Sequence, residues 1–306
     1  MNDRPLALVG PTASGKTAAG IEVAERLGAE VVSIDSMLVY RGMDVGTAKP
    51  SAAERTRVRH HLLDVAEPGD VFSVAQFQAL ARAAVAEVRR RGRGVVLVGG
   101  SGLYYRAVVD GLEFPGTDPE TRRALEAEAV AVGAGPLYER LRSFDPGAAK
   151  KIEPSNVRRT VRALEVAAVT GRPFSEYAAG WEVYPADRVH AAGIDMEPAV
   201  LRARIEDRVR GMVEHGFLAE VRALVENGVG PSLTAGQAIG YAEMVDHLAG
   251  RSTLDEAIAG TVKRTRALAR RQMAWFRRDP RIRWFRVGPE GAMGIVDDLV
   301  EYFTDA

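Results

Sequence analysis

The sequence contains no cysteine, which excludes disulfides, Cys-ligated zinc and thiol nucleophiles together. It has no net charge, because 41 Lys and Arg balance 41 Asp and Glu. It is therefore not a uniformly basic nucleic-acid binder, and any RNA surface has to be a local patch. Long apolar runs are missing too. The longest, such as Val95 to Val98, fall far short of the roughly 20 residues of a membrane-spanning helix. No charged region precedes a long apolar stretch at Met1 to Pro5, so neither a signal peptide nor a membrane partner is expected, and the expected compartment is the cytoplasm. There is no internal repeat and no low-complexity segment. What is present is a chain of 306 residues with 46% hydrophobic content, enough to bury a substantial core in two compact units or one domain carrying an insertion.

Leu6 to Val9 is a short apolar run that ends in a glycine loop and leads into a helical pattern reaching about Leu27. Val31 to Ile34 is a second strand candidate, closed by Asp35, and Val95 to Val98 a third, followed by Gly99-Gly100-Ser101-Gly102. Between them a helix is expected over Ser73 to Arg91, with Ser73 and Gln76 spaced as a capping box and Arg89 to Arg91 complementing the C-terminal dipole. This alternation argues for a parallel sheet covered by helices on both faces. From about Asp118 the pattern becomes helical only, with breaks at residues 133–136, 145–147 and 171–173; strand character returns at Val189 to Ile194. One long helix is expected from about Pro198 to Asn227, then further helical segments to Phe276. The expected fold is α/β: a P-loop NTPase-like parallel sheet flanked by helices, with residues 1–117 and 186–306 as its core and a mostly helical insertion at 118–185.

Gly10-Pro11-Thr12-Ala13-Ser14-Gly15-Lys16-Thr17 fits G-x-x-x-x-G-K-[ST], placed after a strand and opening a helix. The glycines let backbone N–H groups turn inward as an anion nest, and the helix N-terminus adds partial positive charge. Lys16 reaches terminal phosphate oxygens, and the Thr17 hydroxyl is placed to ligate Mg²⁺. The motif predicts a bound diphosphate or triphosphate without saying which. Asp35 is positioned either to orient Mg²⁺ and water, as in P-loop ATPases, or to act as a general base beside the phosphates; a plain strand-end cap is the bland reading.

Asp35 to Pro50 (DSMLVYRGMDVGTAKP) closely resembles the segment after the P-loop in the tRNA dimethylallyltransferase, or isopentenyltransferase, family. The likeness continues through His60 to Asp64, Gly99 to Tyr104, Arg162 to Val166, Gly240-Tyr241 and Arg270 to Phe276, in family order. The resemblance is to the bacterial form, without a C-terminal zinc-finger extension. It implies transfer of a five-carbon group from dimethylallyl diphosphate to the exocyclic amine of the adenosine 3′ of the anticodon, with Mg²⁺ as cofactor and the P-loop holding the leaving group. It implies Asp35 as the base for the target amine. It gives Ser101 a catalytic role where the family usually has threonine, and sets Arg204 against the diphosphate, with Arg208 one turn on as a second candidate. Contacts to the tRNA anticodon stem-loop are implied at Asp35, Ser36, Met37, Leu38, Ser101, Arg122, Arg158, Arg159, Arg162, Gly236, Gln237, Gly240, Tyr241, Arg270, Arg271, Gln272, Trp275 and Arg277. The helical insertion would grip the stem, and a monomer is expected.

The residues supply their own support for RNA. Lys263 to Arg286 holds ten basic residues against Asp279 as the single acid, with Trp275, Phe276, Trp284 and Phe285 interleaved. Such a run is suited to contact phosphates and stack on bases; the bland alternative is an amphipathic helix with aromatics turned inward. Three rival functions share the P-loop: a small-molecule kinase, a prenyltransferase acting on free adenine nucleotide, and a non-enzymatic RNA-binding adaptor switched by nucleotide.

Overall fold

The computed structural model describes residues 4–228 and 235–305. The chain divides into two compact units, residues 1–111 with 185–306, and residues 112–184.

The larger unit is built on β1 (Leu6–Val9), β2 (Ala29–Ser33), β3 (His60–His61), β4 (Gly94–Gly99), β5 (His190–Met196) and β6 (Ile282–Val287), ordered β3-β2-β4-β1-β5-β6. Every pairing is parallel, which explains why β1, β2 and β4 read as apolar runs rather than alternations: such strands are covered on both faces. Chain order reverses at β1, whose next strand lies to one side and whose other neighbour is β5. A crevice at the carboxyl ends of the strands is expected at that point.

The helices of this unit before the insertion are α1 (Lys16–Arg26), α2 (Ala52–Arg57), α3 (Val74–Arg90) and α4 (Gly102–Val109). The capping box at Ser73 forms as read, its hydroxyl accepting from the Gln76 N–H while the Gln76 side chain accepts from the Ser73 N–H. The smaller unit contains α5 (Pro119–Val132), α6 (Ala134–Phe144), α7 (Pro146–Ala149) and α8 (Val157–Thr170). It has its own apolar core, including Leu125, Leu137, Leu141, Val161 and Leu164. Within this unit Glu165, fully buried, accepts from the Asp118 N–H and from the Arg122 and Arg162 guanidiniums.

The chain returns through α9 (Pro198–Glu214), α10 (Phe217–Glu226), α11 (Tyr241–Leu248), α12 (Leu254–Phe276) and α13 (Val296–Thr304). The single helix expected over Pro198 to Asn227 is two. Gly216, at φ 98°, takes the left-handed conformation that ends one helix and caps the next. The basic run also differs from its reading. Its first part lies in α12 and its last in the edge strand β6, and the aromatics turn inward: Phe276 is 1% exposed, and Trp284 packs where a side chain on Gly193 would sit. The Arg281 side chain is 4% exposed and paired with Asp110 at 2.6 Å and Asp279 at 2.6 Å.

Candidate active site

The P-loop leaves β1 through Gly10, at φ 152°, where an added Cβ would meet the Ile194 side chain at 3.1 Å. Ala13 and Gly15 then take left-handed φ values, and Gly15 caps α1. The loop is held from outside. Arg204 Nε donates to the Ala13 carbonyl at 2.9 Å, and the Ala292 N–H donates to the Ser14 carbonyl at 2.9 Å. These contacts engage the Ala13 and Ser14 carbonyls, which leaves the loop's N–H groups to form the anion nest that the motif predicts. Gln272 Oε1, reaching over from α12, accepts from the Thr12 N–H at 2.8 Å.

A cavity of about 240 Å³ opens beside the loop, lined by Thr12, Lys16 and Thr17, by Asp35 to Leu38 after β2, and by Arg208 and Gln272. Lys16 Nζ donates to the Pro11 carbonyl at 3.2 Å. Burial, reinforced by the positive charge of Arg208 and opposed by Asp35, lowers the Lys16 pKa to about 8. Burial also holds Arg208 below its usual range, against the favourable charge of Asp35. Two cations and one carboxylate facing one cavity make a site short of negative charge, suited to an anionic ligand. Asp35 Oδ1 accepts from the Met37 N–H at 2.8 Å, so the turn-capping role is real. That bond also orients the carboxylate and leaves Oδ2 for another donor. Apolar side chains, including Val209, Met212 and Leu268, complete the wall.

The other implied residues divide. Ser101 caps α4, accepting from the Tyr104 N–H at 3.5 Å, and does not line the cavity. Arg204 shapes the loop instead of facing the cavity, also donating to the Pro289 carbonyl at 2.6 Å; Arg208, its second candidate, takes the cavity position. Arg122 and Arg162 are engaged by Glu165, whereas Arg158 and Arg159 are exposed. Tyr241 is buried, its hydroxyl donating to Glu220 at 2.7 Å, and Gly236 and Gly240 are buried as well. The Gln237 side chain lies outside the described residues. On α12, Arg270 and Arg271 are exposed, as is Arg277 just beyond it, and Trp275 packs on Gly102.

Glu220 carries no role in the sequence reading. It accepts from the N–H groups of Asp44, Val45 and Gly46 at 2.7, 2.7 and 3.0 Å, fixing the loop whose next residues wall the cavity. A glutamate inside an amphipathic helix gives no signal of this.

Among the described residues no three His, Cys, Asp or Glu side chains cluster as a metal site. The cavity instead offers the Thr17 hydroxyl and two polar atoms without a partner, Ser33 Oγ and His60 Nε2. That set fits Mg²⁺, a cation that keeps several waters and takes substrate phosphate oxygens for most of its shell.

The glycine loop at the end of β1, a buried lysine and a parallel sheet whose order reverses there define a P-loop-like α/β protein. Residues 38–279 match the family model described as IPP transferase, and the chain belongs to that family. A tRNA dimethylallyltransferase of Nocardioides sp. is 51% identical over 286 residues, covering 94% of this chain and 92% of the relative. One from Streptomyces coelicolor is 50% identical, covering 93% and 91%. The tRNA isopentenylpyrophosphate transferase of Bacillus halodurans, a crystal structure, is 40% identical with a TM-score of 0.70, covering 99% of this chain and 97% of that one. A eukaryotic dimethylallyltransferase acting on tRNA superposes with a TM-score of 0.75 at 25% identity, over 92% and 73%. The family resemblance and the α/β fold are thereby borne out. Among the described residues no helix is long and apolar enough to cross a membrane.

Proposed function

We propose that the protein transfers a dimethylallyl group from dimethylallyl diphosphate to N6 of the adenosine 3′ of the anticodon in tRNA, releasing diphosphate. The observation that carries this reading is that Asp35 shares one cavity with Lys16, Thr17 and Arg208. A base for the acceptor amine and a cradle for the leaving group therefore stand on opposite counts of charge in the same space. An adenine amine is a weak nucleophile, its lone pair delocalised into the ring, so the electrophile has to be strongly activated. As the allylic C–O bond breaks, its electron pair leaves on the diphosphate, where the nest, Lys16 and Arg208 stabilise the growing charge. The new bond forms between N6 and the allylic carbon, and the N6 proton passes to Asp35. Thr17 is the residue that would hold Mg²⁺, and the cation would supply further neutralisation of the leaving group. The apolar wall takes the dimethylallyl tail and excludes water from the allylic cation.

The adenosine has to leave the stacked loop to reach this cavity, at a cost of a few kcal/mol. The exposed Arg270, Arg271 and Arg277 are placed to repay it through phosphate contacts, with the 112–184 unit gripping the anticodon stem. The working form is a cytoplasmic monomer.

Labelled dimethylallyl diphosphate, Mg²⁺ and an anticodon stem-loop with adenosines 3′ of the anticodon test the reading. Wild type should label the RNA, and Asp35→Asn should lower the rate by about 10²–10⁴-fold, the usual worth of a positioned base. Labelling of AMP but not RNA would move the substrate to free nucleotide. ATP turnover without prenyl transfer would return the P-loop to a kinase or switch.

A further inference from the structure

Buried polar atoms in folded proteins almost always have hydrogen-bond partners. Two in the wall of this cavity do not: Ser33 Oγ, on a side chain 3% exposed, and His60 Nε2. Strand pairing sets them on one face of the sheet. Val31 lies opposite His60 in the β2–β3 register, and Ser33 follows Val31 two residues on, on the same face of the strand. His60 Nδ1 is 2.7 Å from the Val58 carbonyl oxygen. A carbonyl only accepts, so Nδ1 carries the proton and Nε2 of the neutral ring is an acceptor. Burial, the largest influence on this imidazole, lowers its pKa and keeps it neutral.

A diphosphate ester has nothing to give such a nitrogen. Its oxygens accept and its tail is apolar. The donor that suits a neutral imidazole and a serine hydroxyl beside a polyphosphate cradle is water polarised by a cation. Thr17, the P-loop hydroxyl, lines the same cavity.

We propose that Ser33 and His60 are positioning residues that hydrogen-bond the water shell of the divalent cation entering with the diphosphate, and so set where that cation stands against the leaving oxygen. This rests on the reading of the P-loop as a diphosphate site. It gives a task to the first histidine of the His60-His61-Leu62-Leu63-Asp64 block, which the sequence alone left without one.

Mn²⁺ binding, followed by electron paramagnetic resonance with saturating inorganic diphosphate, tests it in the full chain. His60→Ala and Ser33→Ala should each weaken Mn²⁺ binding by about tenfold, the lower end for outer-shell groups. Diphosphate affinity without metal and the metal-free melting temperature should not change. His60→Gln, whose amide oxygen accepts, should recover part of the loss. Unchanged Mn²⁺ affinity would overturn the proposal and leave these atoms to ordinary cavity water. So would a raised KM for the RNA with Mn²⁺ affinity intact, which would assign the wall to the adenine. A drop in melting temperature matching the loss would make the role structural. Wild type that binds no diphosphate would sink the cradle reading itself.

Discussion

Lys16 is where burial and charge compete most directly. Burial and Arg208 lower its pKa to about 8 against the pull of Asp35, and a bound diphosphate raises it again by placing negative charge beside the ammonium. Below pH of about 8 the lysine is charged both free and bound, so its contribution to binding is complete. Above that the free protein has to take up a proton to bind. Affinity for dimethylallyl diphosphate should therefore lose up to about tenfold per pH unit, until the raised pKa of the complex is reached. Calorimetric titrations across this range check it, and Lys16→Met should weaken binding at neutral pH and abolish that slope. Lys16 and Thr17 were legible in the sequence because the phosphate nest needs those residue types at fixed spacing after a strand, and Asp35 stood out only as the residue closing the second strand candidate. Choosing between Arg204 and Arg208 was not. Four residues apart on α9, they share a helix face, and what separates them is the carbonyl of Ala13, 191 residues away, that draws one of them behind the loop.

Among the elements, the loop after β2 depends on a helix far along the chain. Three consecutive amides of Asp44 to Gly46 and the Tyr241 hydroxyl converge on the Glu220 carboxylate of α10. Glu220→Ala removes the acceptor of four donors, some open to water, and should lower stability by roughly 2–4 kcal/mol, given about 1–3 kcal/mol for each group left unpaired and buried. Urea denaturation measures this, and the KM for dimethylallyl diphosphate should rise as the cavity wall loosens. Glu220→Gln, which keeps one accepting oxygen, should restore part of both. Element boundaries were legible where chemistry marked them, as at the Ser73–Gln76 capping box. The two-residue β3 was not, being too short for any periodicity, and β6 was hidden in a basic run whose arginines outweighed its apolar positions.

For the molecule as a whole, Glu165 shows how one unit secures itself. It is fully buried and accepts from Arg122, Arg162 and the Asp118 N–H. The arginines left behind are partly exposed and can be solvated, so Glu165→Ala should destabilise the 112–184 unit by about 1–3 kcal/mol through the hydrogen bonds lost. Thermal melting should show that loss while diphosphate binding by the other unit stays intact. The amino-acid sequence by itself determined the local chemistry: a phosphate nest, its lysine and hydroxyl, capped helices and apolar strands that must be covered on both faces. These follow from backbone geometry and side-chain chemistry within a few residues. The tertiary structure decided which polar groups are engaged inside the protein and which line the cavity. Arg281 is engaged by Asp110, Arg204 by the carbonyls of Ala13 and Pro289, and Tyr241 by Glu220, while Arg208, Ser33 and His60 line the cavity. A guanidinium or an imidazole looks the same in any sequence, and only the partners brought to it by folding fix what it does.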